Sequence, residues 1–163
     1  MPFPGAIIFK MLCYRLFENI PQRSSLGFGP GGGHWNQSGI PMIYTSNSVA
    51  LTFLELYSIR GSNVALTKWI LATLEIPDHF PKLDMKTAPK TWNRRPVSSS
   101  TRDFGSTWCL SRESAGLAVP SARVPLKAFP DEFNVIINPL HEKFSTFVKV
   151  IDETEVSFAI DQA

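Results

Sequence analysis

The run Gly31-Gly32-Gly33-His34-Trp35-Asn36 constrains this chain more than any other stretch. Three consecutive glycines carry too much backbone freedom for the interior of a helix or a strand. A Trp and an Asn directly after them have no place in a loop that faces only water. Pro21, Gly27, Gly29 and Pro30 precede the triplet and Gly39-Ile40-Pro41 follow it, so residues 20–41 read as one loop. A loop that combines free backbone with an imidazole, an indole and an amide is expected to hold a ligand. Alternatively, Trp35 is a structural residue buried under the turn.

Around that loop the chain breaks into short apolar runs. Residues 6–17, "AIIFKMLCYRLF", read as an opening strand, and 41–46, "PMIYTS", as a second. Ser46 or Ser48 is placed to cap a helix over 49–59, with Ala50, Phe53, Leu54 and Tyr57 on its packing face and Gly61 as its stop. A long strand is expected over 64–76, stopped by Pro77, and a short helix over 101–112. Strand-like runs follow at 116–120, 133–137, 146–151 and 156–160. Many short strands with two helices indicate an α+β domain with a mostly antiparallel sheet. With 163 residues and no internal repeat or linker, 1–163 reads as one domain, with 1–10 as an N-terminal extension if Met11 is the true start.

Composition narrows the function classes. The chain is 44% apolar and 18% charged, below the usual charged share of about a quarter. A net charge of +2 argues against nucleic acid as the main ligand. The basic stretch Lys86–Arg102 is rich in Pro, Ser and Thr and reads as a solvated connection. Cys13 and Cys109 form no CxxC pair, which fits a reducing compartment. His34, His79 and His141 lack metal-ligand spacing, so no metal site is expected. The N-terminal apolar run is broken by prolines, Lys10 and Arg15, which argues against a signal peptide or a membrane span and for a cytoplasmic protein.

Four polar residues stand where packing alone would not ask for them. Arg15 lies inside the first strand, where it either grips a phosphate or carboxylate or points outward from the sheet. Glu55 lies among leucines on the first helix, as a desolvated, reactive carboxylate or as an ordinary surface glutamate. Tyr44 either stacks on an aromatic ligand or belongs to the core. Ser121 is bracketed by Pro120 and Pro125 and presents its hydroxyl from a fixed turn, or caps that turn. Neither a G-x-S-x-G elbow, a P-loop nor a Rossmann fingerprint is found.

Taken in order, the motifs resemble one family. Tyr14-Arg15, "GGHWNQSGIPMIYTS" and Glu55 eleven residues after Tyr44 are similar to the RES domain family, named for an Arg, a Glu and a Ser. "PKTWNRRPVSSSTRDFGSTWCLSR" looks like its Trp-containing loop and Gly-x-x-Trp helix. "LAVPSARVP" and "FNVIINPLH" are similar to its Val-Pro-Ser and Asn-x-x-x-Asn-Pro-x-His segments. The resemblance spans roughly residues 13 to 160.

That resemblance implies an ADP-ribosyltransferase-like fold, with a split, mostly antiparallel sheet and an NAD cleft between its halves. It implies the toxin of a bacterial toxin–antitoxin pair, degrading NAD by hydrolysis or phosphorolysis of the nicotinamide–ribose bond, without metal. An Xre-type antitoxin would cover the cleft. Carried over, Arg15, Glu55 and Ser121 become the catalytic set, with Tyr44, His34 and Asn138 on the substrate. The alternatives are a transferase that ADP-ribosylates a protein and a decayed, non-catalytic NAD binder. Three departures matter: His34 replaces an Arg usual in the family, Glu142 stands where a Pro is common, and Asp161 is followed only by Gln162 and Ala163 instead of an Arg-Leu ending.

Overall fold

In the computed structural model, residues 7–161 are described. The start of the expected extension, Met1–Ala6, and the closing Gln162-Ala163 lie outside them. The elements are β1 (Lys10–Glu18), β2 (Ile43–Ser46), α1 (Val49–Arg60), β3 (Trp69–Pro77), α2 (Ser99–Ser111), β4 (Gly116–Val119), β5 (Asn134–Ile137), α3 (Phe144–Phe147) and β6 (Lys149–Val156). The six strands form one sheet in the order β4-β5-β2-β1-β3-β6, and the named strands pair antiparallel throughout.

The sheet is split. β1 pairs with β3 along its whole length, and β2 pairs with β5 along its whole length. Between β1 and β2 the register holds one pair, Tyr14 opposite Ser46. The halves β4-β5-β2 and β1-β3-β6 therefore meet at a seam and diverge beyond it. Alternation packs both faces. Ala118, Val135 and Ile137 enter one core with Cys13, Ile43 and Leu74. Leu117, Val119 and Ile136 enter a second core with Trp35, Trp92 and Trp108.

The first helix forms where expected. Ser48 caps α1 by accepting a hydrogen bond from the Leu51 amide, and Gly61 stops it at φ 60°. Its packing face differs from the expected one: Leu51 and Thr52 are buried, while Ala50, Leu54 and Tyr57 are exposed. The helix is apolar nearly all round, so periodicity alone did not select the face.

Two strand boundaries are corrected. The strand expected from residue 64 begins at Trp69, because Gly61–Leu66 first winds into a 3-10 turn. The Trp69 indole nitrogen donates to the Val64 carbonyl at 2.8 Å across that turn. The strand expected at 146–151 starts only at Lys149, after α3, and runs on to Val156 as β6, while 157–160, expected as a last strand, carry none. Asp152, Glu153 and Glu155 interrupt the apolar pattern of β6, and an edge strand accommodates charges that an inner strand would not.

Residues 20–41 carry neither helix nor strand, and α2 holds this loop in place. The Gln37 amide donates to Ser106 Oγ at 2.9 Å, and its side chain donates to Asp103 at 2.8 Å. Gly105 lies against the loop so closely that a Cβ there would stand 1.8 Å from the Trp35 carbonyl oxygen. Gly105→Ala is expected to destabilise the chain by about 3 kcal/mol, the upper end for overpacking. In a chain of this length that lowers Tm by roughly 6–12 °C. A thermal melt with Tm unchanged within about 2 °C would rule out this close approach.

Candidate active site

A cavity of about 440 Å³ opens at the seam. That volume falls in the range of roughly 300–1,000 Å³ common to small-molecule sites. β1 and β2 supply one wall, α1 another, and the glycine loop and the turn after β4 close it.

Glu55 projects from the inward side of α1, one turn beyond the buried Thr52. Its Oε1 accepts from Ser121 Oγ at 2.5 Å and from Asn134 Nδ2 at 2.7 Å. Its Oε2 faces Arg123 Nε at 3.4 Å. The Glu55 side chain is 24% exposed, so the carboxylate is half withdrawn from water yet open to the cavity. Ser121 is buried, and its hydroxyl oxygen also accepts from the Arg123 amide at 3.0 Å. The same hydroxyl thus caps its turn and is fixed as a donor toward Glu55.

Arg15 borders the cavity from β1. Its Nη1 donates to the Ser25 carbonyl at 2.7 Å and approaches that of Ser24. Burial, followed by repulsion from Arg23, lowers its pKa to about 10, so it stays charged at neutral pH. Ser25 in turn donates through Oγ to Glu153 at 2.5 Å, which ties the loop's first half to β6.

Tyr44 is more than a stacking surface. Its hydroxyl donates to Asn36 Oδ1 at 2.5 Å and accepts from the Trp35 amide at 2.9 Å. Burial is the main cause that pushes its ionisation well above the usual phenol value, so it remains a neutral donor. Asn36 Oδ1 also accepts from the Gly33 amide at 2.8 Å, and its Nδ2 donates to the Ile40 carbonyl at 2.7 Å. A Cβ on Gly33 would lie 2.7 Å from the Tyr44 hydroxyl oxygen. The glycine at that position lets the tyrosine reach the loop.

His34 lines the cavity and hydrogen-bonds through Nε2 to the Trp92 carbonyl at 2.5 Å. Since a carbonyl only accepts, Nε2 carries the proton. Burial lowers the His34 pKa below the ordinary 6.5, against the pull of that bond, and Arg95 lowers it further. At neutral pH His34 is therefore an uncharged donor. Asn138 stands outside the cavity. It is fully buried, donating to the Cys109 carbonyl at 2.8 Å and accepting from the Leu140 amide at 2.9 Å, which braces β5 against α2.

Four participants escaped the sequence reading: Asn134, Arg95, Arg102 and Arg123. Asn134 is the first Asn of the quoted "NVIIN" segment, and Arg123 lies two residues beyond Ser121. Arg95 and Arg102 come from the stretch read as a solvated connection. Arg102 instead donates through Nε to the Gly33 carbonyl at 3.0 Å. Among the described residues lining the cavity, four arginines face one carboxylate. Such a surface favours an anionic ligand. No group of three or more His, Cys, Asp or Glu among the described residues is placed to hold a metal ion.

A protein-family model for the RES domain matches residues 12–161. This chain belongs to the RES domain family. A Photorhabdus laumondii protein named Toxin Res is 36% identical over 156 residues, covering 93% of this chain and 95% of its own length. A Yersinia enterocolitica protein of the same name is also 36% identical, over 93% of this chain and 97% of its own. A Sphingobium protein named Prs ADP-ribosylating toxin is 33% identical over 115 residues, 68% of each chain. Among solved structures, a chain of the M. tuberculosis MbcT-MbcA toxin-antitoxin complex superposes with a TM-score of 0.68 at 16% identity, covering 93% of this chain and 86% of that one. With these the fold is ADP-ribosyltransferase-like, and the two relatives that match over 93% of this chain are both named as toxins.

The depressed His34 pKa has a stability consequence. The neutral imidazole is favoured by the fold, so the unfolded chain binds the extra proton first as pH falls. Stability from His34 is therefore complete above pH 6.5 and is lost as pH drops toward its folded value. His34→Gln keeps an amide donor for Trp92 but does not titrate. Its Tm is expected to fall less than that of the parent between pH 7.5 and pH 5.5; identical pH slopes in the two proteins would contradict the assignment.

Proposed function

We propose that this RES-domain toxin consumes NAD⁺ by cleaving the bond between nicotinamide and ribose. The observation that carries the reading is the Glu55 carboxylate, held by Ser121, Asn134 and Arg123 in the wall of a cationic cavity. As the bond breaks, its electron pair leaves on the nicotinamide nitrogen and positive charge develops on the ribose, as in glycoside cleavage. A carboxylate already fixed beside that charge stabilises it without reorganising. An oxygen of water, which gives up one proton to solvent, or of inorganic phosphate then bonds to the ribose carbon. The NAD⁺ is substrate, and the chemistry calls for no metal.

The remaining residues have matching tasks. Arg15, Arg95 and Arg102 suit the pyrophosphate, where guanidinium groups form charge-assisted hydrogen bonds. The Tyr44 ring, held by its hydroxyl, offers a face for the nicotinamide. His34 contributes a fixed, neutral cavity wall. The solved neighbour is a toxin–antitoxin complex, which supports an antitoxin partner here; we assign it to the Xre type, covering the cavity mouth. The active unit is a single domain over 1–163 acting on the cytoplasmic NAD⁺ pool. No helix among the described residues is long and apolar enough to cross a membrane.

A second reading, transfer of ADP-ribose to a protein, is supported by the name of the Sphingobium relative, Prs ADP-ribosylating toxin. One assay separates the two. Purified protein is incubated with NAD⁺, with and without phosphate, beside Glu55→Gln and Arg15→Ala variants. Loss of free NAD⁺ without any acceptor protein is expected, reduced by roughly a hundredfold or more in Glu55→Gln, the usual size for removing a preorganised electrostatic partner. Dependence on phosphate identifies phosphorolysis, and independence identifies hydrolysis. NAD⁺ that persists until a protein acceptor is supplied, with label then appearing on that protein, would replace the first reading by the second. Full activity in both variants would overturn both.

A further inference from the structure

The two oxygens of Glu55 are not equivalent, and the difference traces to a residue of β5. Oε1 accepts from both Ser121 Oγ and Asn134 Nδ2, at 2.5 and 2.7 Å. Oε2 has one long contact, Arg123 Nε at 3.4 Å, and Glu55 lines the cavity. A side-chain amide can present either its oxygen or its nitrogen. Here the far end is occupied, because Ser46 Oγ donates to Asn134 Oδ1 at 2.7 Å. With the oxygen engaged by a hydroxyl, the Asn134 nitrogen points at the carboxylate.

Ser46 is itself a special position. It is 3% exposed, pairs with Asn134 across β2–β5, and pairs with Tyr14 across β1–β2. Tyr14 opposite Ser46 is the register pair that joins the halves of the sheet. The chain of hydrogen bonds Ser46–Asn134–Glu55 therefore runs from the seam to the carboxylate.

We propose that Asn134 is a positioning residue for the reacting carboxylate: with its amide oriented by Ser46 at the seam, it engages Oε1 and leaves Oε2 to meet the ribose. The proposal rests on the reading of Glu55 as the carboxylate that acts on NAD⁺. A positioning residue affects the transition state more than ground-state binding, so its loss lowers kcat with KM nearly unchanged. Arg123 and Ser121 from the turn after β4, Arg95 from the loop before α2 and His34 from the glycine loop are the other charged, titratable or bonding groups about Glu55. None of them substitutes for a donor on the β5 side.

The test uses Asn134→Ala, Asn134→Asp and Ser46→Ala in the full chain. Asn134→Ala is expected to lower kcat roughly ten- to a hundredfold, the range for a lost hydrogen bond to a charged group. KM should move by less than about threefold, as for loss of a contact realised mainly in the transition state. Ser46→Ala, which frees the amide without removing it, should lose less. Asn134→Asp puts a second carboxyl at the same distance from Oε1, and two carboxyls so close share a proton. The acid limb of the kcat profile is then expected to move to higher pH by about one unit or more.

An Asn134→Ala kcat within twofold of the parent would overturn the proposal. So would a loss that merely follows the folded fraction seen by circular dichroism, with the acid limb of Asn134→Asp in its parental place. Were the parent chain to leave NAD⁺ intact, the functional reading would fail separately. The carbon-13 titration of the Glu55 carboxyl would then decide on positioning. A midpoint raised in Asn134→Asp supports the contact, and an unmoved midpoint removes it.

Discussion

Glu55 is the point at which the separate parts of this fold agree. Its carboxylate takes hydrogen bonds from the turn after β4 and from β5 while riding on α1, so three elements distant in sequence converge on one group. A half-buried carboxylate without partners would be costly, and donors of this kind offset that cost. The arrangement explains why α1 turns Thr52 and Glu55 inward and leaves Leu54 and Tyr57 in solvent. On a helix apolar nearly all round, the polar residues with fixed partners set the rotation.

The glycine loop is the second half of the site, and it is held rather than loose. Asn36 gathers the Gly33 amide, the Tyr44 hydroxyl and the Ile40 carbonyl, while Arg102 and Ser106 on α2 secure its outer side. The opening run is thus explained by close approach: Gly33 makes room for the tyrosine ring, and Trp35 enters the core beneath the loop. Both readings of Trp35 meet here, since it is buried and also borders the cavity. His34 adds a bond to this loop without adding charge. It is a neutral donor to Trp92, and the positive charge of the cavity comes from Arg15, Arg95, Arg102 and Arg123.

Much of the fold was legible because local signals and tertiary packing coincided. Ser48 and Gly61 bounded α1, and Pro77 ended β3. The signals failed where tertiary pairing decided: the apolar run from Val64 wound into a turn before Trp69, and the charged residues of β6 concealed one continuous edge strand. In the site, Ser121 donates to Glu55, and Arg15, Tyr44 and His34 border the same cavity. Asn138 does not, because its amide bridges β5 to α2, whereas Asn134, four residues earlier on the same strand face, reaches Glu55. One sequence does not distinguish two asparagines of equal parity. Only the hydrogen-bond partners do. Arg95 and Arg102 were hidden in the same way, inside a Pro- and Ser-rich stretch whose composition resembles a solvated linker.

Under the proposed function, the cavity at the seam holds NAD⁺ with its ribose against Glu55. A crystal structure of the Glu55→Gln variant grown with NAD⁺ tests it most directly, because the substrate should survive in a protein whose cavity is otherwise unchanged. The expected result is the dinucleotide in this cavity, the pyrophosphate among the arginines and the nicotinamide riboside beside residue 55. NAD⁺ bound elsewhere on the chain, or bound here with its ribose turned away from residue 55, would contradict the claim.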